Sequence, residues 1–191
     1  SPSSARLLID PGPRWGVRVE MRFELVRPFY LDIEHAFTAQ RPTALRRFLG
    51  VFWANYIQVP RLPAFSFIAK SPNGKERWIK VNQALGSASR GVIAPEHGPV
   101  GEAFRREPSG LIYGVAETRY VQPFFCGEVH DMLLGFMFRC QDDLELRFAY
   151  NSQGGGPGVP AWDYQAVVPQ PEANRRYSFK VRVFYKPFTA I

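Results

Sequence analysis

"VRVEMRFELV", residues 17–26, decides the fold. Its apolar members, Val17, Val19, Met21, Phe23 and Leu25, alternate with Arg18, Glu20, Arg22 and Glu24. Successive side chains of a strand point to opposite faces, so a period of two sets an oily face against a charged one. An amphipathic helix needs apolar residues three and four apart instead. The segment therefore reads as a half-buried strand, of the kind antiparallel sheets use.

The same period recurs downstream. "FYLDIEHAF" (29–37) places Phe29, Leu31, Ile33 and His35 on one face. "AFSFIAKSPNGKERWIKV" (64–81) reads as a hairpin turning at Asn73-Gly74, a pair suited to the positive φ angles of a tight turn. "LIYGVA" (111–116) and "RYVQPFF" (119–125) read as strands. "DMLLGFMFRCQDDLELRFAY" (131–150) reads as a second hairpin, turning at Gln141–Asp143. Its return strand sends Leu144, Leu146, Phe148 and Tyr150 inward and Glu145 and Arg147 outward. "WDYQAVV" (162–168) and "YSFKVRVFYKPF" (177–188) complete the set. In the latter, Phe179, Val181, Val183 and Tyr185 oppose Lys180, Arg182 and Lys186. "TALRRFLGVFWANYI" (43–57) mixes the two periods, and reads as a turn or short helix at 43–49 and a strand at 50–58.

These short strands, with no helix alternating between them, predict an all-β chain. The expected architecture is an antiparallel β-sandwich or jelly roll with at most one or two short helices. Residues 1–16 are turn-rich and read as a loosely held, extended lead-in, and 17–191 as a single β-sandwich domain. Seventeen prolines and sixteen glycines along the chain leave little room for long helices. Aromatic residues at 15% favour strands. No apolar run is long enough to cross a bilayer as a helix, so no membrane partner is expected.

The net charge of +7 makes anionic partners worth considering. The excess is spread thin, however, with adjacent basic pairs only at Arg46-Arg47, Arg105-Arg106 and Arg175-Arg176. A nucleic-acid partner is therefore disfavoured, because tracking a phosphate backbone calls for clustered charge. With the turn of 131–150 preceded by another at Gly127–Asp131, Cys126 lies near Met132 and far from Cys140. A disulfide between them does not fit, and both read as buried free thiols. Cysteine use thus leaves the compartment undetermined, with a secreted or periplasmic location among those open. The chain begins at Ser1 without a signal-like segment, as a processed form or a fragment would.

"YNSQGGGPGVPAWDYQ" (150–165) contains the densest cluster of glycine beside polar and aromatic residues. A phosphate-binding loop needs a lysine and a helix after its glycines, and here Pro160 and a strand follow. The stretch reads either as an inter-strand loop or as the wall of a surface site. In the second case Trp162, Tyr164 and Trp53 offer stacking platforms, and Asp163, Asn151 and Gln165 hydrogen-bond partners. Sugars suit such a surface, because their C–H faces lie on aromatic rings and their hydroxyls need planar polar groups. The alternation along the strand, however, turns Trp162 and Asp163 to opposite faces.

Three histidines, His35, His97 and His130, lack the paired spacing of metal ligands, and no cofactor motif appears; no metal or cofactor is expected. "PEHG" (95–98) and "GEVHD" (127–131) each set a histidine beside a carboxylate. His130 with Asp131 and Glu128, together with His97, are the candidates for proton transfer. "GSAS" (86–89) lacks the context of a serine nucleophile.

"FWANYIQVP" (52–60), "GGGPGVPAWDYQ" (154–165) and the closing "YSFKVRVFYKPF" resemble a set of uncharacterised bacterial β-sandwich proteins. In that set F-W-A-x-Y-I and P-A-W-D-[FY]-Q segments recur near a strand ending in Y-K-P. The set is broadly similar to carbohydrate-active sandwiches of the galactose-mutarotase-like and lectin-like types. The histidine and glutamate pattern of the mutarotase type is not clear in this chain. The resemblance implies a sugar- or glycan-binding domain or, on the same fold, a carbohydrate-acting enzyme of epimerase- or lyase-like proton transfer. A structural or assembly module without a small-molecule site is the third reading. The binding reading rests on Trp53, Asn55, Tyr56, Trp162, Asp163 and Gln165, with a carbohydrate or small polar ligand as partner. The enzymatic reading rests on His130, Glu128, Asp131 and His97. The oligomeric state is not legible.

Overall fold

The computed structural model describes residues 3–12, 16–40, 48–58, 64–71, 73–81, 90–98 and 115–188. Among them are twelve strands: β1 (Ser4–Ile9), β2 (Val17–Val26), β3 (Tyr30–Ala39), β4 (Leu49–Trp53), β5 (Phe65–Lys70), β6 (Glu76–Val81), β7 (Arg90–Ile93), β8 (Phe124–Val129), β9 (Met132–Cys140), β10 (Glu145–Asn151), β11 (Ala161–Val168) and β12 (Arg176–Pro187). They build two antiparallel sheets, one of eight strands in the order β1-β2-β3-β12-β9-β8-β5-β6 and one of four in the order β4-β11-β10-β7. The chain is an all-β sandwich. The helix or turn expected at 43–49 falls largely outside the described residues, as do 86–89 and 111–114.

The alternation in the sequence fixes which side of each strand meets the other sheet. Met21 on β2, Ile33, His35 and Phe37 on β3, and Tyr177, Phe179 and Val181 on β12 are all buried. The interior is aromatic: Phe125 has ring centroids of Phe65, Phe136 and Phe148 at 4.7, 4.9 and 5.0 Å. Tilted and edge-on contacts of this kind suit the ring quadrupoles. Each such ring, taken from water, contributes about 1.5–3 kcal/mol. Gly127 on β8 is required where it stands. A Cβ there would lie 2.4 Å from the Trp162 ring and 2.5 Å from the Ala64 carbonyl oxygen.

Several expectations change. Residues 131–150 are not a hairpin, because β9 and β10 lie in different sheets and Gln141–Leu144 is the corner between them. The polar side of β10 is not solvated: Glu145 and Arg147 are each 1% exposed and paired at 2.8 Å. The β8–β9 turn is His130–Asp131 alone, so Cys126 pairs with Gly135 rather than near Met132. Both cysteines are free, but Cys140 is exposed and Cys126 only half-buried. The expected strand at 50–58 is shorter, ending at Trp53. The lead-in is not loose, since Ser4–Ile9 forms an edge strand on β2.

Candidate functional site

The two motif-like segments meet in space. Trp53 of β4 pairs with Tyr164 of β11, and Tyr56 bridges to Ala161. Asn55 ties them together. Its backbone N–H donates to an Asp163 carboxylate oxygen (2.7 Å) and its side-chain amide to the Trp162 carbonyl (2.9 Å). The Trp162 N–H donates back to the Asn55 carbonyl, and the Trp53 indole N–H to the Asn55 side-chain oxygen, each at 2.9 Å. All six candidate ligand-binding residues thus belong to one neighbourhood.

Most of that neighbourhood is interior. Trp162 is 0% exposed and Asp163 and Gln165 are 2% exposed, so none presents a surface to a ligand. Trp162 packs edge-on against Phe65. Trp53 is half-buried against the edge of His35. Of the six, Tyr56 alone is an exposed ring. The expected stacking platform at Trp162 is thereby corrected: the strand turns its indole into the sandwich. Burial pushes the Asp163 carboxyl up to about 6, against the pull of the Asn55 N–H. The glycine-rich stretch joins β10 to β11, with Gly156 and Gly158 at positive φ (109° and 75°).

The four proton-transfer candidates do not converge. His130 and Asp131 form the exposed turn at one end of β9. His97 has a side chain 89% exposed and lines a recess with Cys140 and Gln141, at the other end of β9. Nine extended residues, Met132–Cys140, hold the two ends about 27 Å apart. Glu128 faces the outer side of the large sheet. Glu96, 3.9 Å from His97, is already paired with Lys70 at 2.8 Å.

The outer face of the eight-stranded sheet gathers what neither motif supplied. Register places Glu24, Asp32, Arg182, Met137 and Phe124 in one straight row across β2, β3, β12, β9 and β8. The next row is Arg22, Glu34, Lys180 and Arg139. Between the rows lies a recess of about 510 Å³ whose lining includes Arg22, Glu24, Asp32, Glu34, Lys180 and Arg182. Arg182 grips Asp32 with two nitrogens, each at 2.6 Å, and stacks on Tyr30 at 5.4 Å. The guanidinium fork, through its hydrogen bonds first, holds the Asp32 carboxyl below the usual carboxylate range. Beyond Met137 the row ends in an aromatic pair, Phe124 with Trp78 edge-on at 5.6 Å. Trp78 is 58% and Met137 38% exposed. The strand alternation assigned Arg22, Glu24, Lys180 and Arg182 to this side, where they read as solvated charge.

No protein-family model matches the chain, and no curated protein matches it. Among solved structures it is similar to a protein of Escherichia coli K12 provisionally named as an aldose 1-epimerase, with a TM-score of 0.39 and 10% identity over 98% of this chain and 67% of that one. No helix among the described residues is long and apolar enough to cross a membrane.

Proposed function

We propose that this chain is a single β-sandwich domain that binds carbohydrate on the outer face of its eight-stranded sheet. One observation supports the reading above the others: a single cross-strand row combines Asp32 and Arg182, locked as planar hydrogen-bonding groups, with Met137, Phe124 and the exposed Trp78 ring. Sugar hydroxyls need donors and acceptors whose geometry is already fixed, because ordering them on binding weakens affinity. Sugar C–H faces need an apolar platform. The row offers the first at β3 and β12 and the second at β9, β8 and β6. Strands about 4.8 Å apart make the row long enough for an oligosaccharide lying across them.

The binding site thus moves from the tryptophan-bearing loop rim to the sheet face. Trp53, Asn55, Trp162, Asp163 and Gln165 become the support of the sandwich rather than ligand contacts. A glycan array, followed by calorimetry on any hit, tests the reading. Binding that weakens on Trp78→Ala and on Asp32→Asn supports it. Failure to bind any oligosaccharide, or binding indifferent to both substitutions, sinks it.

A further inference from the structure

The outer face carries an uneven charge. The positions of β1, β2, β3, β12 and β9 that point outward hold eight cations (Arg6, Arg18, Arg22, Arg139, Arg176, Lys180, Arg182 and Lys186). They hold four carboxylates, Glu20, Glu24, Asp32 and Glu34. Spread thin along the sequence, the basic excess is gathered by the sheet onto one side.

Its sharpest point is Arg139 and Lys180, which lie directly opposite on β9 and β12. Like charges in that position repel. Glu34 offers little relief, since it sits 4.0 Å from Lys180 and also serves Arg176 at 3.5 Å. Arg139 makes no ion pair among the described residues. Both cations line the same recess as Arg22 and Arg182.

We propose that this face takes an acidic glycan, with a carboxylate or sulfate of the sugar seated between Arg139 and Lys180. The inference rests on the carbohydrate reading above and adds the class of sugar. A guanidinium presents a planar fork that a carboxylate or sulfate meets with two hydrogen bonds, and an ammonium adds a point charge from the other side. The same recess holds Glu24, Asp32 and Glu34. A nucleic acid, with a charge every ~1.7 Å of duplex, would press phosphates against these carboxylates. An acidic sugar carries at most a few charges per unit, and its hydroxyls donate to carboxylates.

The test uses hexagalacturonate, its fully methyl-esterified form and a dodecathymidylate, each titrated by calorimetry at about 0.15 M salt. Hexagalacturonate should bind about tenfold more tightly than the uncharged ester, and Arg139→Gln and Lys180→Gln should each remove most of that difference. The urea midpoint of either variant should match or slightly exceed the wild-type value, because each removes one of two facing like charges. Equal binding of acid and ester overturns the acidic preference while leaving the carbohydrate reading intact. Binding of neither sugar overturns the acidic-glycan proposal, and the carbohydrate reading then rests on the glycan array alone. Tighter binding of the dodecathymidylate, or acid preference untouched by both substitutions, overturns the proposal.

Discussion

His35 on β3 and Tyr164 on β11 reach across the sandwich to each other, imidazole Nε2 to phenol oxygen at 3.0 Å. The contact joins the two sheets inside an interior rich in aromatic rings. His35 lies flat on Phe179 at 4.5 Å and is 1% exposed. Removing the hydroxyl with Tyr164→Phe strands a buried ring nitrogen. The expected loss is about 1–3 kcal/mol, read as a lower urea midpoint. An unchanged midpoint would show that the bond adds nothing.

Two buried groups tilt the acid limb in opposite directions. Burial lowers His35 to about 4 from 6.5, so the unfolded chain binds the extra proton and stability falls as pH drops from 6.5 toward 4. Burial raises Asp163 from 3.8 to about 6, so the folded chain binds the extra proton and stability falls as pH rises from 3.8 toward 6. The two slopes nearly offset, at about 3 kcal/mol each over their windows. Asp163→Asn should therefore expose a stability that climbs between pH 4 and 6.5, and His35→Gln one that declines. Urea midpoints across that range check it, and parallel curves for the two variants would refute it.

Gly127→Ala should disturb a tight spot between the sheets. The added methyl meets a carbonyl oxygen at 2.5 Å as well as the Trp162 ring, so it cannot be absorbed by one flexible side chain. Overpacking here should cost about 2–3 kcal/mol, a fall in Tm of about 5–10 °C by calorimetry. Near-UV circular dichroism should shift with it, because the indole must move.

Trp78→Ala separates surface function from stability. The ring is 58% exposed and lies on the edge strand β6, so its loss should change the unfolding free energy from urea titration by less than about 0.5 kcal/mol. Affinity for a bound oligosaccharide should nonetheless drop about tenfold, with an aromatic platform gone. Equal affinity in Trp78→Ala and wild type would remove the aromatic end of the proposed row.

Most of the strands were legible, because alternation is local, but β7 was not foreseen, and of the strand expected at 119–125 only Phe124 and Phe125 belong to one. β2 runs from Val17 to Val26 as its pattern says, and β12 carries Phe179 and Val181 inward as expected. What a pattern cannot carry is pairing partner. Gln141–Asp143 has the residues of a hairpin turn, and a corner between sheets uses the same residues. So β9 and β10 read as neighbours although they belong to different layers. The polar residues of β10 misled for a related reason: Glu145 neutralises Arg147 inside the fold, and charge alone reads as exposure. β1 was missed because Leu7, Leu8 and Ile9 run together without alternation and stay 44%, 43% and 49% exposed on an edge. The candidate face lay beyond the sequence because Asp32 and Arg182 are 150 residues apart and meet only through sheet order.

Strand β12 is the last of the described strands, yet it lies fourth of eight in its sheet, flanked by β3 and β9. Two half-sheets, β1-β2-β3 and β9-β8-β5-β6, have no hydrogen-bonded link to each other until it arrives. On a ribosome both must wait with open edges for β12 to emerge, a situation that favours slow, late closure over stepwise growth. Trimming a few residues from this segment should split the molecule rather than fray it.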